Sequence, residues 1–331
     1  MVMLVLSQEE IRELYTMEEC LRDVEEAFRC EAAGGTVTPV RTAVAHEKRA
    51  ATTLYMPSYV EAVEYTAVKV VSIFPQNAEK GLPSLQGITL LTEAKSGRHV
   101  ALMDATCLTV LRTGASSGVA TRLLARQDAK SCAVLGCGAQ ALGQVQAIMA
   151  VRPIERLWLY NRTRARAEQL AARIRALYPE WKGSITCVND AGEAVSAADI
   201  VVLSTKATEP LFDGGILRPG THVNAIGAYQ PHMQEFDAVT LNRSGKVVVD
   251  TKEGALHEAG DLIKPIQRGE WSIDRLYGEI GELVTGQKPG RETDEEITLY
   301  KSVGIASLDT MVACAVYEKA KRLGAGTTVT L

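Results

Sequence analysis

Residues 131–163 read SCAVLGCGAQALGQVQAIMAVRPIERLWLYNRT. An apolar run, Ala133-Val134-Leu135, stops at Gly136-Cys137-Gly138-Ala139-Gln140-Ala141. Apolar residues at helical spacing follow, and a second apolar run, Leu157-Trp158-Leu159-Tyr160, ends at Asn161-Arg162-Thr163. Strand, glycine turn, helix and strand in that order open a dinucleotide-binding unit. Gly136 permits the tight turn, and Gly138 lets the backbone approach a pyrophosphate resting on the N-terminus of the next helix. The third small residue is Ala141, which makes the motif G-x-G-x-x-A. The competing reading is an ordinary strand-to-helix turn, and the two flanking strands at the right spacing weigh against it.

The end of the second strand bears on which dinucleotide is bound. NAD sites usually carry an acid there, bonded to the ribose 2′-hydroxyl. This chain has Asn161-Arg162-Thr163, with Arg164 and Arg166 close behind. A carboxylate would repel a 2′-phosphate, whereas arginine grips one with charge-assisted hydrogen bonds. The expected cofactor is NADP(H), preferred over NAD(H). Arg164 or Arg166 taken singly also reads as a solvated helix face; Arg162 is the one placed where the adenosine ribose should lie.

Working outward, the α/β alternation continues through strands at Ile185–Val188, Ile200–Ser204, His222–Ile226 and Lys246–Val249, with a short helix at Ala191–Ala198. Their continuous apolar character suits parallel strands covered on both faces. Residues 294–323 read as helix, with Asp294 as a cap. On the other side, residues 7–33 read as two helices, the first capped by Ser7 and the second, Met17–Ala33, stopped by Gly34-Gly35. Short strands are expected at Val37–Val44, Thr52–Met56, Tyr65–Ile73, Gly87–Thr92 and His99–Asp104, followed by a helix over 105–126. The fold class is therefore α/β: a doubly wound (Rossmann) NAD(P) domain, residues 117–307, inserted into a β-rich α+β domain built from residues 1–116 and 308–331.

The 331 residues are 46% hydrophobic and 23% charged with a net charge of −4, which suits a soluble protein of about two domains. No broad basic excess points to nucleic acid. The start, MVMLVLSQEE, is too short an apolar run for a signal peptide or a membrane span. The seven cysteines are scattered with no C-x-x-C pair, so reduced thiols in a cytoplasmic protein without a metal site are expected. Cys137 reads as a structural small side chain.

A bound nicotinamide needs a substrate site facing it. Lys69 lies inside an otherwise apolar strand, Ala67-Val68-Lys69-Val70-Val71. Burial disfavours a lysine's charge, and such a group often moves protons. The alternative is an edge-strand lysine turned to solvent. Arg41 and Arg112 can each hold a carboxylate bidentately, although either taken alone is more often a surface arginine.

Taken together the chain resembles the ornithine cyclodeaminase/mu-crystallin family. The resemblance rests on Met56-Pro57-Ser58-Tyr59, Ala67-Val68-Lys69, Gly81-Leu82-Pro83-Ser84, Leu111-Arg112-Thr113-Gly114-Ala115, the glycine turn, Asn224-Ala225-Ile226-Gly227-Ala228, Gly278-Glu279-Ile280 and Lys301-Ser302-Val303-Gly304, in that order. It implies a homodimer, with the β-rich domain supplying the substrate and dimer contacts. It also implies an α-amino or α-imino acid substrate beside the nicotinamide. Arg41 and Arg112 fall at the carboxylate clamp, Lys69 at the catalytic lysine, and Met56, Tyr229 and Val303 near the substrate. Ser84, Arg112, Thr113, Ala139, Gln140, Asn161, Arg162, Thr163, Ser204, Thr205, Ile226 and Ser302 fall at cofactor positions, beside Gly136 and Gly138 of the motif.

One departure bears on the reaction. Cyclodeaminases of the family carry an Asp, thought to bind the side-chain amine, shortly after the segment matching Asn224–Ala228. Here Tyr229 stands in its place and no carboxylate follows until Glu235. An un-ionised phenol cannot pair with an ammonium as a carboxylate does. With Arg162, this resembles the reductase branch. The expected reaction is NADPH-dependent reduction of Δ1-pyrroline-2-carboxylate or Δ1-piperideine-2-carboxylate to L-proline or L-pipecolate. The alternatives are a cyclodeaminase, an alanine dehydrogenase, an N-alkyl amino-acid dehydrogenase, or a protein that holds NADPH and a small ligand without turnover.

Overall fold

The computed structural model describes residues 2–330. Two compact units divide the chain: the described residues up to Arg112 together with those from Ile305, and Thr113–Gly304.

The unit Thr113–Gly304 is built on one parallel sheet. Its strands run in the order Ser184–Val188, Arg156–Tyr160, Ser131–Leu135, Ile200–Leu203, His222–Ala225, Thr298–Lys301, Lys246–Val249 and Gly278–Glu279. The order reverses between Ser131–Leu135 and Ile200–Leu203, the switch point of a doubly wound Rossmann sheet. Both faces are covered. Ala133, Leu135, Val201 and Leu203 enter one apolar core, while Cys132, Val134, Ile200 and Val202 enter another. That double burial is why these strands read as unbroken apolar runs.

The helix expected over 294–323 is corrected. Thr298–Lys301 is a strand paired on both sides, and the helix begins only at Ala306 and runs to Leu323. Asp294 lies in a bend. Gly304, at φ 83, breaks the chain direction between strand and helix. The four residues Thr298–Lys301 are too few for a period to separate strand from helix.

The other unit carries a sheet ordered Thr327–Thr330, Val2–Leu6, His99–Asp104, Leu85–Glu93, Tyr65–Ile73, Ala51–Val60 and Thr36–Val37, with Thr42–His46 also paired to Ala51–Val60. Val2–Leu6 runs parallel to His99–Asp104 and every other pairing is antiparallel. The single strand expected over Val37–Val44 is two strands, because residues 38–41 leave the ladder around Pro39, which has no N–H to donate. Two helices, Gln8–Leu14 and Met17–Ala32, start with capping boxes from Ser7 with Glu10 and Thr16 with Glu19.

Side chains alternate across this sheet. Met56, Lys69, Thr89 and Met103 form one row on the face covered by the helix Ala306–Leu323, and all four are buried. One residue along each strand, Tyr55, Val70 and Ile88 form a row on the opposite face. There Tyr55 is 41% exposed and Ile88 47%.

Candidate active site

Lys69 sits in an interior strand with its side chain only 2% exposed, so the edge-strand alternative does not hold. Its ammonium meets a carboxylate that the sequence reading missed. Asp309, in the first turn of Ala306–Leu323, places Oδ2 2.6 Å from Lys69 Nζ and Oδ1 3.0 Å from Arg112 Nε. All three side chains are buried. Burial pulls the Lys69 proton affinity down to about 8, and the Arg112 and Arg41 charges push the same way while Asp309 pulls it back up. Burial works to raise the Asp309 carboxyl, but Arg112 and Lys69 outweigh it and hold the group below the usual range. Asp309 is therefore an anion at neutral pH. The signal for it lay in the helix pattern: an acid at 309 heads the apolar stripe Val312, Ala313 and Val316, and an acid on a core-facing stripe needs a buried cation.

Arg41 is half-buried and close enough to Lys69 for its charge to be felt there. Met56 is the cross-strand partner of Lys69. On the other side of Lys69 stands Thr89, whose Oγ1 is buried without a hydrogen-bond partner. Ser84 follows the Gly81-Leu82-Pro83 turn and accepts the Phe74 N–H at its carbonyl, 2.8 Å away.

In the other unit, Gly136 adopts φ 100, and a Cβ there would lie 2.7 Å from the Ser204 carbonyl oxygen. Only glycine fits. The Ser204 hydroxyl donates to the Gly136 carbonyl at 2.7 Å, which ties the glycine turn to the end of the neighbouring strand. Around Gly138 a Cβ would meet nothing within 4 Å. The helix Ala141–Val151 then starts without a side-chain cap, and the Gln140 Oε1 nearby is buried without a partner. Open space over Gly138, exposed Ala139 and uncapped N–H groups at a helix N-terminus are what a dinucleotide pyrophosphate requires, so the residues present fit that group.

Asn161 braces the turn: its Oδ1 accepts the Cys137 N–H at 3.0 Å, and its Nδ2 donates to the Thr163 carbonyl at 2.9 Å. Arg162 and Thr163 are exposed at the end of the strand. Arg164 is engaged elsewhere, with Glu168 at 2.9 Å and Asn189 at 2.7 Å. Burial pushes the Cys137 thiol up to about 12, which leaves it inert as a nucleophile at neutral pH.

Thr113, on the helix Ala105–Leu124, accepts the Gln144 amide at its carbonyl, 3.0 Å away. Ser302 donates its hydroxyl to Asp250 at 2.8 Å, and the N–H groups of Val303 and Gly304 reach the same carboxylate oxygen at 2.8 and 2.6 Å. Asp250 thus shapes the turn that carries both expected contacts, and no sequence motif announced it. Buried Ile226 continues the ladder through its N–H to the Leu203 carbonyl, and Tyr229 is half-buried. Glu235, the first acid after Ala228, is fully buried and accepts four protein donors, from Thr205, Gly227 and Ala228.

Among the described residues no group of His, Cys, Asp or Glu is arranged to hold a metal ion, and no helix is long and apolar enough to cross a membrane.

Known proteins resemble the chain over nearly its whole length. The family model for the ornithine cyclodeaminase/mu-crystallin family matches residues 1–324. A Δ1-pyrroline-2-carboxylate reductase of Bacillus cereus is 42% identical over 324 residues, covering 98% of both chains. An alanine dehydrogenase of Archaeoglobus fulgidus is 36% identical over 329 residues, again covering 98% of each. The solved Δ1-pyrroline-2-carboxylate reductase of Thermococcus litoralis, in complex with NADH and L-proline, superposes with a TM-score of 0.94 at 42% identity, over 99% of this chain and 100% of that one.

Proposed function

The chain belongs to the ornithine cyclodeaminase/mu-crystallin family, and on that premise we propose that it is a nicotinamide-dependent oxidoreductase that reduces a cyclic ketimino acid. The substrate is Δ1-pyrroline-2-carboxylate or Δ1-piperideine-2-carboxylate and the product L-proline or L-pipecolate. The observation that carries this reading is the Lys69–Asp309–Arg112 cluster, a buried amine with a proton affinity near neutrality beside a guanidinium.

Arg112 and Arg41 hold the substrate carboxylate. Arg112 has its Nε on Asp309, and the guanidinium plane fixed by that bond aims the terminal nitrogens as a fork. Lys69 keeps the imine nitrogen protonated, which makes the imine carbon electrophilic, or delivers the proton to that nitrogen. A reduced nicotinamide, when bound, would supply the hydride that the imine carbon accepts. Asp309 holds Lys69 and Arg112 in register and keeps part of the lysine population charged. Met56, the cross-strand neighbour of Lys69, is the apolar substrate contact of its own unit; in the other unit Tyr229 and Val303 are substrate contacts by the family resemblance, and the residues around the glycine turn would hold the dinucleotide.

The Thermococcus litoralis relative was solved with NADH; for this chain we favour NADPH, because Arg162 is exposed just past the strand Arg156–Tyr160 and no acid stands beside it. The β-rich unit is the substrate and dimerisation domain, and its exposed Tyr55–Val70–Ile88 row supports a homodimer. All seven cysteines are unpaired thiols, which suits a cytoplasmic protein.

A second reading, alanine dehydrogenase, is favoured by the 36% identity to the Archaeoglobus protein. An oxidation assay with NADPH across both cyclic ketimines, pyruvate with ammonia, and pyruvate with methylamine separates the two. Ketimine reduction is expected to exceed ammonia release from L-ornithine by at least roughly a hundred-fold, equivalent to about 2.7 kcal/mol. Faster turnover of pyruvate with ammonia makes the chain an alanine dehydrogenase, and fast NAD-dependent conversion of L-ornithine to proline makes it a cyclodeaminase.

A further inference from the structure

Glu235 takes no part in the chemistry above, yet it is a fully buried acid at the functional edge of the parallel sheet. Its Oε1 accepts the Thr205 N–H at 2.6 Å and the Thr205 hydroxyl at 2.8 Å. Its Oε2 accepts the N–H groups of Gly227 at 2.8 Å and Ala228 at 3.1 Å. Thr205 follows the strand Ile200–Leu203, and Gly227-Ala228 follow His222–Ala225. These are adjacent strands of the second mononucleotide half, and dinucleotides lie across the carboxyl ends of such strands. One carboxylate therefore ties two cofactor-side loops together.

Glu235 is itself anchored from behind. Its N–H donates to Asp261 Oδ1 at 2.6 Å, and Asp261 Oδ2 pairs with Lys301 Nζ at 2.8 Å, an ion pair without hydrogen-bond alignment. Both partners are fully buried. The loops touch so closely that a side chain at Gly227 would collide with the Thr205 backbone. Buried charges are weak contributors to stability, because desolvation offsets their attraction. They do fix geometry, since each of the four donors has one place to go.

We infer that Glu235, backed by Asp261 and Lys301, is a positioning residue that sets the nicotinamide half of the cofactor site by fixing the loops that carry Thr205 and Ile226. The inference rests on the reading of the chain as a nicotinamide enzyme. It does not depend on which imine is reduced.

The test is Glu235→Gln in the full-length protein. A glutamine amide has one acceptor oxygen, and its NH2 would face N–H donors, so half of the clamp is lost while shape is kept. Equilibrium binding is measured with NADPH, followed by nicotinamide fluorescence, and with 2′-phospho-ADP-ribose, which has the adenosine half but no nicotinamide. NADPH is expected to bind roughly ten-fold more weakly, about 1.4 kcal/mol, with its emission shifted towards that of free NADPH. Binding of the truncated ligand should change by less than about two-fold. Glu235→Asp, which keeps the charge, should recover part of the loss. An NADPH dissociation constant within two-fold of the parent, or equal losses for both ligands, overturns the assignment. Should the parent bind NADPH but reduce no ketimine, the proposed substrate fails while the role of Glu235 is still decided by binding. A parent that binds neither dinucleotide overturns both.

Discussion

Replacing Asp309 by asparagine removes the anion paired with Lys69 and keeps the shape of the side chain. At 2.6 Å the gross attraction between Lys69 and Asp309 is about 6 kcal/mol with an effective dielectric of about 20. Breaking one side of a buried pair typically costs about 3–5 kcal/mol, because a charge is left without compensation. Lys69 can avoid part of that cost by giving up its proton, since Arg112 and Arg41 already disfavour the charge. Each unit of pKa is worth about 1.4 kcal/mol, so a downward shift of about one to two units from its present value of about 8 is expected. The sign follows from the chemistry: the donating ammonium exists below the pKa and is lost as pH rises through it. In the parent, kcat/KM for ketimine reduction should fall as pH rises through about 8. In Asp309→Asn the same limb should fall at least about one unit lower, with activity at pH 8 down roughly ten-fold and partly regained under more acidic conditions. The assay is a pH series of kcat/KM for both proteins, with circular dichroism as a check on folding. An alkaline limb that stays in place while activity drops uniformly would refute the coupling of Asp309 to the Lys69 proton.

Arg162→Ala should raise the Michaelis constant for NADPH roughly ten-fold or more and leave NADH use almost unchanged, since hydrogen bonds to charged groups contribute about 1.5–3 kcal/mol. Equal effects on both cofactors in steady-state assays would remove Arg162 from the 2′-phosphate. Ile88→Lys puts a charge in the exposed apolar row and is expected to convert a dimer of the 35.7 kDa chain into monomer by light scattering after gel filtration. An unchanged mass would move the dimer contact elsewhere.

The parts of the fold that the residues announced are those whose pattern is local. Tyr65–Ile73, His99–Asp104 and Lys246–Val249 stand where alternation or apolar runs place them, and the glycine turn sits between its two strands. The terminal strands Val2–Leu6 and Thr327–Thr330 were not anticipated, because each is short and becomes a strand only through a partner from elsewhere in the chain. Thr298–Lys301 was lost to helix for the same reason. The carboxylates divide in a similar way. A basic residue in an apolar strand is conspicuous, so Lys69 stood out, while its partner Asp309 lies 240 residues away. Asp250, Asp261 and Glu235 each look unremarkable in their own segment, and their roles come from loops that only the folded sheet brings together. Arg112 is the intermediate case, visible as a candidate but distinguished from other arginines only by its bond to Asp309.

The antiparallel pairing of Val2 with Thr330 leaves the two ends of the described chain side by side on neighbouring strands. Chain ends that close together tolerate being joined by a few linker residues. If the chain were joined there and opened between Gly304 and Ile305, the helix and edge strand from 305 onward would precede the rest of their sheet, and Thr113–Gly304 would follow as an uninterrupted segment. Each unit would then be encoded as one stretch. The buried pairing of Lys69 with Asp309 would then close over a loop of roughly one hundred residues in place of the present 240. Such a permuted chain would reach that pair without waiting for the nucleotide-binding unit to be synthesised, which separates the order of assembly from the geometry of the finished site.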